Sequence, residues 1–178
     1  MKRLGLIVNP IAGMGGKVGL KGTDGPEILE RAIELGAKPI ATRRGVEALR
    51  VLRARSESFM EVVTCPRTMG EESAKEAGFR PEIIEGIPTQ RTTSEDTKRA
   101  ATTLQARNVD LLLFVGGDGT ARDVLDAIDR RVPCLGIPAG VKVYSAAFST
   151  NPQAGGNLTA IYLDGEAALK DAEILDID

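Results

Sequence analysis

The sequence predicts a layered α/β domain with a mostly parallel sheet and flanking helices. Short apolar segments rich in Leu, Ile and Val alternate with segments of helical spacing. The strongest apolar runs are nearly continuous, as in strands buried on both faces. Glycine-rich loops follow two of these runs. Because ligands of such sheets bind beyond the carboxyl ends of the strands, both loops are expected at one crevice.

The N-terminal half alternates between strands and helices. Apolar residues run together from Leu4 to Val8 and stop at Asn9, which is typical of a buried strand that ends in a turn. Asp24 is the predicted N-cap of the first helix. The predicted elements are a strand over 3–9, a glycine-rich loop over 11–22, helices over 25–35, 46–55 and 71–77, a strand over 59–64 and an extended segment over 81–85.

The C-terminal half contains the strongest strand, over 109–115, with the sequence Val-Asp-Leu-Leu-Leu-Phe-Val. Before it, Ser94 and the acidic pair that follows predict the start of a helix that runs to Arg107. After it come a predicted helix over 121–130, a strand over 133–137, a helix over 142–148, a weak helix over 154–170 and strand-like alternation over 172–178.

Composition excludes several classes of protein. The chain has 178 residues, of which 42% are hydrophobic, as expected for one folded domain. Lys plus Arg number 23 and Asp plus Glu number 25, so the net charge of -2 disfavours a nucleic-acid partner. The apolar run at the N-terminus is too short for a signal peptide or a membrane span. We therefore expect a cytoplasmic protein with no membrane partner.

Rare residue types narrow the chemistry further. The sequence has no histidine, so any general base must be a carboxylate, a lysine or water. Cys65 and Cys134 lie in apolar stretches and are predicted to be buried free thiols rather than a disulfide or a metal site. No metal-ligand cluster is predicted.

The segment Gly116-Gly117-Asp118-Gly119-Thr120 carries the strongest functional signal. Its glycines let backbone N–H groups line a concavity for phosphate oxygens, and the following helix N-terminus adds partial positive charge. A carboxylate fits there if Asp118 holds Mg²⁺ bound to phosphates or takes a proton from an attacking hydroxyl. Thr120 can cap the helix or donate to phosphate. A tight turn with Asp118 as N-cap is the structural alternative.

Other residues can join this site. The first glycine-rich loop contributes Gly13, Gly15 and Gly16. Thr93 is a candidate for contact with a nucleotide. Lys142, with Ser145 close behind, could lie over the phosphates, or it could simply be exposed. Arg122 and Asp123 could reach the nucleotide or form an exposed ion-paired surface. The P-loop pattern and the Rossmann fingerprint are absent.

These motifs resemble those of the superfamily of NAD kinases, diacylglycerol kinases and 6-phosphofructokinases. The resemblance rests on Asn9-Pro10, on Gly13-Met14-Gly15-Gly16 and above all on Val115-Gly116-Gly117-Asp118-Gly119-Thr120-Ala121-Arg122-Asp123. Segments 92–97 and 136–142 extend it over nearly the whole chain. The sequence is most similar to the ATP-NAD kinase-like branch, which includes relatives of the acetoin-catabolism protein X.

The resemblance implies a nucleotide-binding domain that transfers phosphoryl from ATP, or from polyphosphate, with Mg²⁺ held mainly through the phosphates. It also implies that Asp118 activates the acceptor hydroxyl, which in NAD kinases is the 2'-OH of the adenosine ribose of NAD. By the same resemblance, phosphates and ribose are held by Gly116, Gly117, Gly119, Thr120 and Asn9.

Two alternatives stay open. NAD kinases carry an Asn-Glu or Asn-Asp pair that binds the acceptor, and residues 142–145 offer no such pair. The chain could therefore be a non-catalytic nucleotide-binding or regulatory module. Alternatively, it could phosphorylate a lipid or a sugar alcohol. The lipid version is disfavoured because no amphipathic membrane helix is evident in the loops.

We expect residues 1–170 to form the nucleotide-binding domain. Residues 171–178 are expected to begin a strand that leads to a second, β-rich domain, which is absent from this chain; relatives build their active site between two such domains. Ile174, Leu175 and Ile177 would then form an unpaired strand edge. Self-association into a homo-oligomer is therefore expected unless these residues fold back onto the sheet.

Overall fold

A computed structural model describes residues 1–19, 26–56, 59–88, 92–140 and 143–175. These residues form a five-stranded parallel sheet with helices on both faces, which confirms the predicted α/β fold. The strands are β1 (Lys2–Val8), β2 (Met60–Thr64), β3 (Glu82–Ile83), β4 (Leu111–Gly116) and β5 (Cys134–Pro138).

The helices of the described ranges are α1 (Pro26–Glu34), α2 (Ala41–Arg55), α3 (Glu71–Glu76), α4 (Ser94–Ala106), α5 (Asp118–Ile128) and α6 (Pro152–Leu163). Three of them begin earlier than predicted, α2 by five residues, α5 by three and α6 by two. Short 3-10 helices cover Gly15–Val18 and Arg67–Met69. The predicted cap Asp24 lies outside the described residues. None of the described helices is long and apolar enough to span a lipid bilayer.

Two apolar layers hold the helices against the sheet. Alternate side chains of each central strand point to opposite faces. Leu4, Leu6 and Val8 of β1 pack in the layer beneath α2, α3 and α6, whereas Ile7 packs beneath α4 and α5. In the first layer α6 approaches α2 closely at Gly156, where a Cβ would collide with a carbonyl oxygen of α2.

The helix predicted over 142–148 is not formed in the described part of this segment. Residues 143–150 instead form turns that return to β5, where the backbone of Gly136 makes two hydrogen bonds to them at N···O distances of 2.8 and 2.9 Å. Phe148 packs edge-on against Phe114 with ring centroids 5.3 Å apart. Burial of this aromatic pair and pairing with β5 outweigh the local helical spacing.

The C-terminal residues also differ from the prediction. Residues 171–175 have no regular secondary structure, although strand-like alternation predicted a strand there. They lie along the loop after β5, where the Ala146 N–H donates to the Glu173 carbonyl at 2.9 Å. Ile174 packs against the layer beneath α4 and α5. This part of the tail therefore folds back onto the domain, while Ile177 lies outside the described residues.

The two cysteines have different environments. Cys65, after β2, is fully buried, and burial raises the pKa of its thiol to about 12. Cys134 is a free thiol but is exposed, so the prediction of a buried thiol is wrong at this position. It begins β5, whose residues become buried only from Gly136 onward.

We expect a thiol reagent to modify one cysteine in the native chain and two after unfolding. The thiolate is the reacting form, so the buried Cys65 should be protected by its raised pKa and its lack of access. Titration with a chromogenic aromatic disulfide measures the count. The Cys134→Ser variant is the control and should show no reactive thiol when folded. Equal reaction rates for both native thiols would contradict the buried environment of Cys65.

Candidate functional site

The carboxyl ends of β1 and β4 meet where the direction of strand connection reverses. The strand order is β3-β2-β1-β4-β5, so the chain moves outward from β1 to β3 and then returns to the other side of β1. Val8 pairs with Val115, and the Asn9 N–H donates to the Val115 carbonyl at 2.9 Å. Ligands of open α/β sheets bind in the crevice outside such a point. Asn9 and Gly116 lie at this crevice.

Asn9 connects the loops that follow the two central strands. Its side-chain nitrogen donates to Thr120 Oγ1 at 3.0 Å, and its Oδ1 accepts from the Ile11 N–H at 3.3 Å. Thr120 is buried and lies over Gly116, where a Cβ would be 2.5 Å from the Thr120 Cβ. Packing alone therefore requires glycine at 116. The Asn9 side chain gives the Thr120 hydroxyl a hydrogen-bond partner within the protein.

The first glycine-rich loop packs on the loop after β5. Gly13 has a φ of 79°, and a Cβ at this residue would lie 2.5 Å from the Ala139 carbonyl oxygen. Glycine is needed there both for the backbone conformation and for the close approach. Gly15 and Gly16 begin the adjoining 3-10 helix. The first glycine-rich loop therefore meets the loop after β5 at the carboxyl edge of the sheet. The hydrogen bond from Asn9 to Thr120 joins it to the second glycine-rich loop, as the sequence predicts.

Gly117 and Gly119 have no packing reason to be glycine. A Cβ at either residue would meet no atom within 4 Å. Gly117 has a φ of -119°, which any residue adopts, and Gly119 lies in α5, where alanine favours the helix by about 1 kcal/mol. The absence of side chains leaves the backbone on both sides of Asp118 open to a ligand.

Asp118 is the first residue of α5, and the loop after β5 holds its carboxylate. Oδ1 accepts from the Ser145 N–H at 2.8 Å and from the Ser145 hydroxyl at 2.5 Å. The Tyr144 N–H lies 3.0 Å from Oδ2 and 3.2 Å from Oδ1. Gly117 occupies the N-cap position, so Asp118 is not the N-cap. Because a carboxylate oxygen has two lone pairs, Oδ2 keeps room for another donor.

Ser145 links this carboxylate to the C-terminal segment. Its side chain is buried, and its hydroxyl accepts from the Leu175 N–H at 3.0 Å while donating to Asp118. The sequence suggested contact with phosphate for Ser145, but the structure turns its hydroxyl toward Asp118. No local motif could have shown this contact, since the two residues are 27 positions apart.

The start of α4 lies beside α5. Thr93, rather than Ser94, is the N-cap of α4, and the Asp96 carboxylate accepts from its N–H at 2.8 Å and from its hydroxyl at 3.0 Å. Ser94 instead donates to Asp123 Oδ1 at 2.6 Å. Burial raises the pKa of Asp123, and the hydrogen bond from Ser94 offsets part of the rise. This hydrogen bond joins the start of α4 to α5, five residues after Asp118.

A cleft of about 450 Å³ adjoins the Asp118 site. Among the described residues, Arg44 of α2, Val143, Phe148 and Thr150 line this cleft. Ser145 belongs both to the cleft and to the Asp118 site. The sequence did not single out Arg44, because the predicted helix began only at residue 46. Lys142, a predicted phosphate contact, lies outside the described residues.

In a comparison with protein families, residues 4–167 match the model of the ATP-NAD kinase N-terminal domain. The chain belongs to this family. Among curated proteins, none matches the sequence. The family match covers β1 to α6 and confirms the resemblance found from Asn9 and the segment 115–123. ATP-NAD kinase domains bind NAD and ATP as ligands.

The polar residues of this ATP-NAD kinase domain fit a magnesium ion carried by a nucleotide. Within the described ranges, no three acidic, cysteine or histidine side chains are grouped to hold a metal ion. Magnesium in such enzymes is bound through one or two carboxylates together with substrate phosphates. A magnesium ion at this crevice would therefore be held mainly through the phosphates of the nucleotide, beside the Asp118 carboxylate.

The two classes of glycine should respond differently to alanine. Gly116→Ala forces a Cβ against Thr120 and should lower the free energy of unfolding by about 1–3 kcal/mol. Gly119→Ala meets open space in a helix and should raise it by up to about 1 kcal/mol. Urea unfolding followed by circular dichroism measures both. Equal losses of stability would contradict the open surface around Gly119.

Asp123→Asn should stabilise the domain at neutral pH by less than about 1 kcal/mol, since Asp123 is half-exposed. Folded Asp123 keeps its proton to higher pH than the unfolded residue, whose pKa is about 3.9, so stability falls as pH rises through this interval. Asparagine avoids this loss while still accepting from Ser94. Urea unfolding at pH 7 and about pH 3.5 should show a gain only at pH 7.

The matched control is Asp126→Asn, which removes an exposed carboxylate of the same helix that pairs with Lys98 at 3.2 Å. This variant should show no gain at either pH. A lower stability of Asp123→Asn than of the parent chain at pH 7 would show that burial of the Asp123 charge does not destabilise the domain.

Proposed function

We propose that this ATP-NAD kinase domain binds ATP at the crevice and transfers its terminal phosphoryl group to a hydroxyl, namely the 2'-OH of NAD. The observation that carries the proposal is the open backbone of Gly117 and Gly119 on either side of a fixed carboxylate. Neither glycine is required by the fold. Close approach of a ligand to this backbone explains both.

The start of α5 supplies donors for phosphate oxygens. The first N–H groups of an α-helix have no acceptor within the helix. Gly117 is the N-cap and has no side chain to satisfy them. A phosphate group at this terminus would accept these hydrogen bonds and benefit from the helix dipole.

We assign to Asp118 the role of receiving the proton of the acceptor hydroxyl. In the proposed step, the hydroxyl oxygen bonds to the terminal phosphorus of ATP, the bond from this phosphorus to the bridging oxygen breaks, and ADP leaves with the electron pair. Oδ2 of Asp118 takes the hydroxyl proton. Ser145 and the Tyr144 N–H keep the carboxylate in position. Bound Mg²⁺ would neutralise charge on the phosphates, whether the donor is ATP or polyphosphate.

A non-catalytic nucleotide-binding module is the second candidate. The observation that favours it is the set of internal hydrogen bonds to Asp118, which would also serve a purely structural connection between α5 and the loop after β5. In this case ATP binds, but no acceptor is phosphorylated. Binding and turnover must therefore be measured separately.

Asp118→Asn should reduce phosphoryl transfer to NAD by about 100-fold to 10,000-fold while leaving ATP affinity within about threefold. The amide still accepts from Ser145, but it cannot take up the hydroxyl proton. Calorimetry with ATP and Mg²⁺ measures binding, and a coupled NADP assay measures transfer. Gly119→Ala is the matched variant for binding, and it should stay folded but bind ATP more weakly.

Three outcomes separate the candidates. Unchanged turnover in Asp118→Asn would remove this carboxylate from the reaction. Binding of ATP by the parent chain without phosphorylation of NAD, a sugar alcohol or a lipid would favour the non-catalytic module. Unchanged ATP affinity in Gly119→Ala would exclude close approach of the nucleotide at this glycine.

A further inference from the structure

We propose that the cleft beside Arg44 binds a phosphate group of a ligand, forming an anion subsite next to the Asp118 site. The inference deepens the proposed function, but it concerns binding rather than transfer. It rests on the side chains that line the cleft, two of which have no hydrogen-bond partner among the described residues. The cleft volume of about 450 Å³ is in the range of small-molecule pockets, roughly 300–1,000 Å³.

Arg44 brings a cationic side chain to the cleft. Three described arginines are only partly exposed, namely Arg3, Arg44 and Arg122. Arg3 pairs with two glutamates, and Arg122 has a partner. Arg44 makes no side-chain hydrogen bond or ion pair with any described residue. A partly buried guanidinium loses hydration, so an anion that pairs with it is favoured.

The rest of the described lining suits an anion. It contains no carboxylate. The Thr150 hydroxyl lines the same cleft and has no hydrogen-bond partner among the described residues, so it can donate to a bound oxygen. Val143 and Phe148 provide apolar surface for the remainder of a ligand. Positive charge, a spare hydroxyl and apolar walls together favour an anionic group attached to a larger molecule.

The location favours phosphate over other anions. The cleft lies at the carboxyl end of β5 and shares Ser145 with the carboxylate site. Ligands of ATP-NAD kinase domains carry phosphate chains, and the planar fork of a guanidinium binds two phosphate oxygens at once. The bound phosphate could belong to the triphosphate of the donor or to the pyrophosphate of NAD.

The test compares Arg44→Gln with Arg43→Gln. Arg43 is the adjacent residue of α2, is exposed, and pairs with Glu47 at 3.1 Å, so its variant removes the same charge outside the cleft. Each folded protein is titrated by calorimetry with tripolyphosphate, ATP and NAD. Arg44→Gln should weaken binding of at least one of these ligands by about tenfold or more, since it loses a charge-assisted hydrogen bond. Arg43→Gln should stay within about twofold.

The three ligands identify the source of the phosphate. Losses for tripolyphosphate and ATP alone assign the cleft to the donor, and a loss for NAD alone assigns it to the acceptor. The proposal is overturned if both variants bind as the parent chain does, if they lose affinity equally, or if the parent chain binds none of the three ligands.

Asp118→Asn separates this inference from the proposed function. Transfer in this variant reports the proposed reaction, whereas the Arg44 variant reports binding alone. If transfer is never observed but Arg44→Gln still weakens binding, the subsite stands and the proposed reaction fails. If Asp118→Asn abolishes transfer while Arg44→Gln binds every ligand normally, the reaction stands and the subsite fails.

Discussion

The parallel pairing of β1 with β4 is the constraint on which the candidate site depends. It places Val8 opposite Val115 and brings Asn9 to Thr120, although these two residues are 111 positions apart in the chain. A shift of one residue in this register would exchange the two faces of β1 and bring a leucine to the place of Gly5, where even an added Cβ would lie 3.2 Å from a Val109 methyl group. Burial on both faces of the sheet therefore fixes the geometry of the crevice.

Features governed by local spacing could be predicted from the sequence. The apolar runs give the central strands, because continuous Leu, Ile and Val are favoured only where both faces are buried. The glycines around Asp118 give the turn between β4 and α5. The segment 142–148 shows the limit of this approach, since its local spacing predicts a helix while Phe148 gains more by packing on Phe114.

The missing parts of the site depend on contacts between distant residues. Ser145 reaches Asp118 only because residues 143–150 return to β5, a path set by the burial of Phe148. Arg44 lines the cleft because α2 begins at Ala41, five residues before the predicted helix, which brings its first turn there. A sequence pattern shows neither the contact between Ser145 and Asp118 nor the position of Arg44 at the cleft. It also cannot show which glycines are required by packing, a distinction that separates Gly116 from Gly119.

The hydrogen bonds to Asp118 join residues that the ribosome makes at different times. Tyr144 and Ser145 follow Asp118 by 26 and 27 residues, and Leu175 follows Ser145 by another 30. At about 5–20 residues per second, the carboxylate is translated roughly 1–5 s before its N–H donors. Until those residues are made, the growing chain contains the carboxylate without the N–H groups that later hold it.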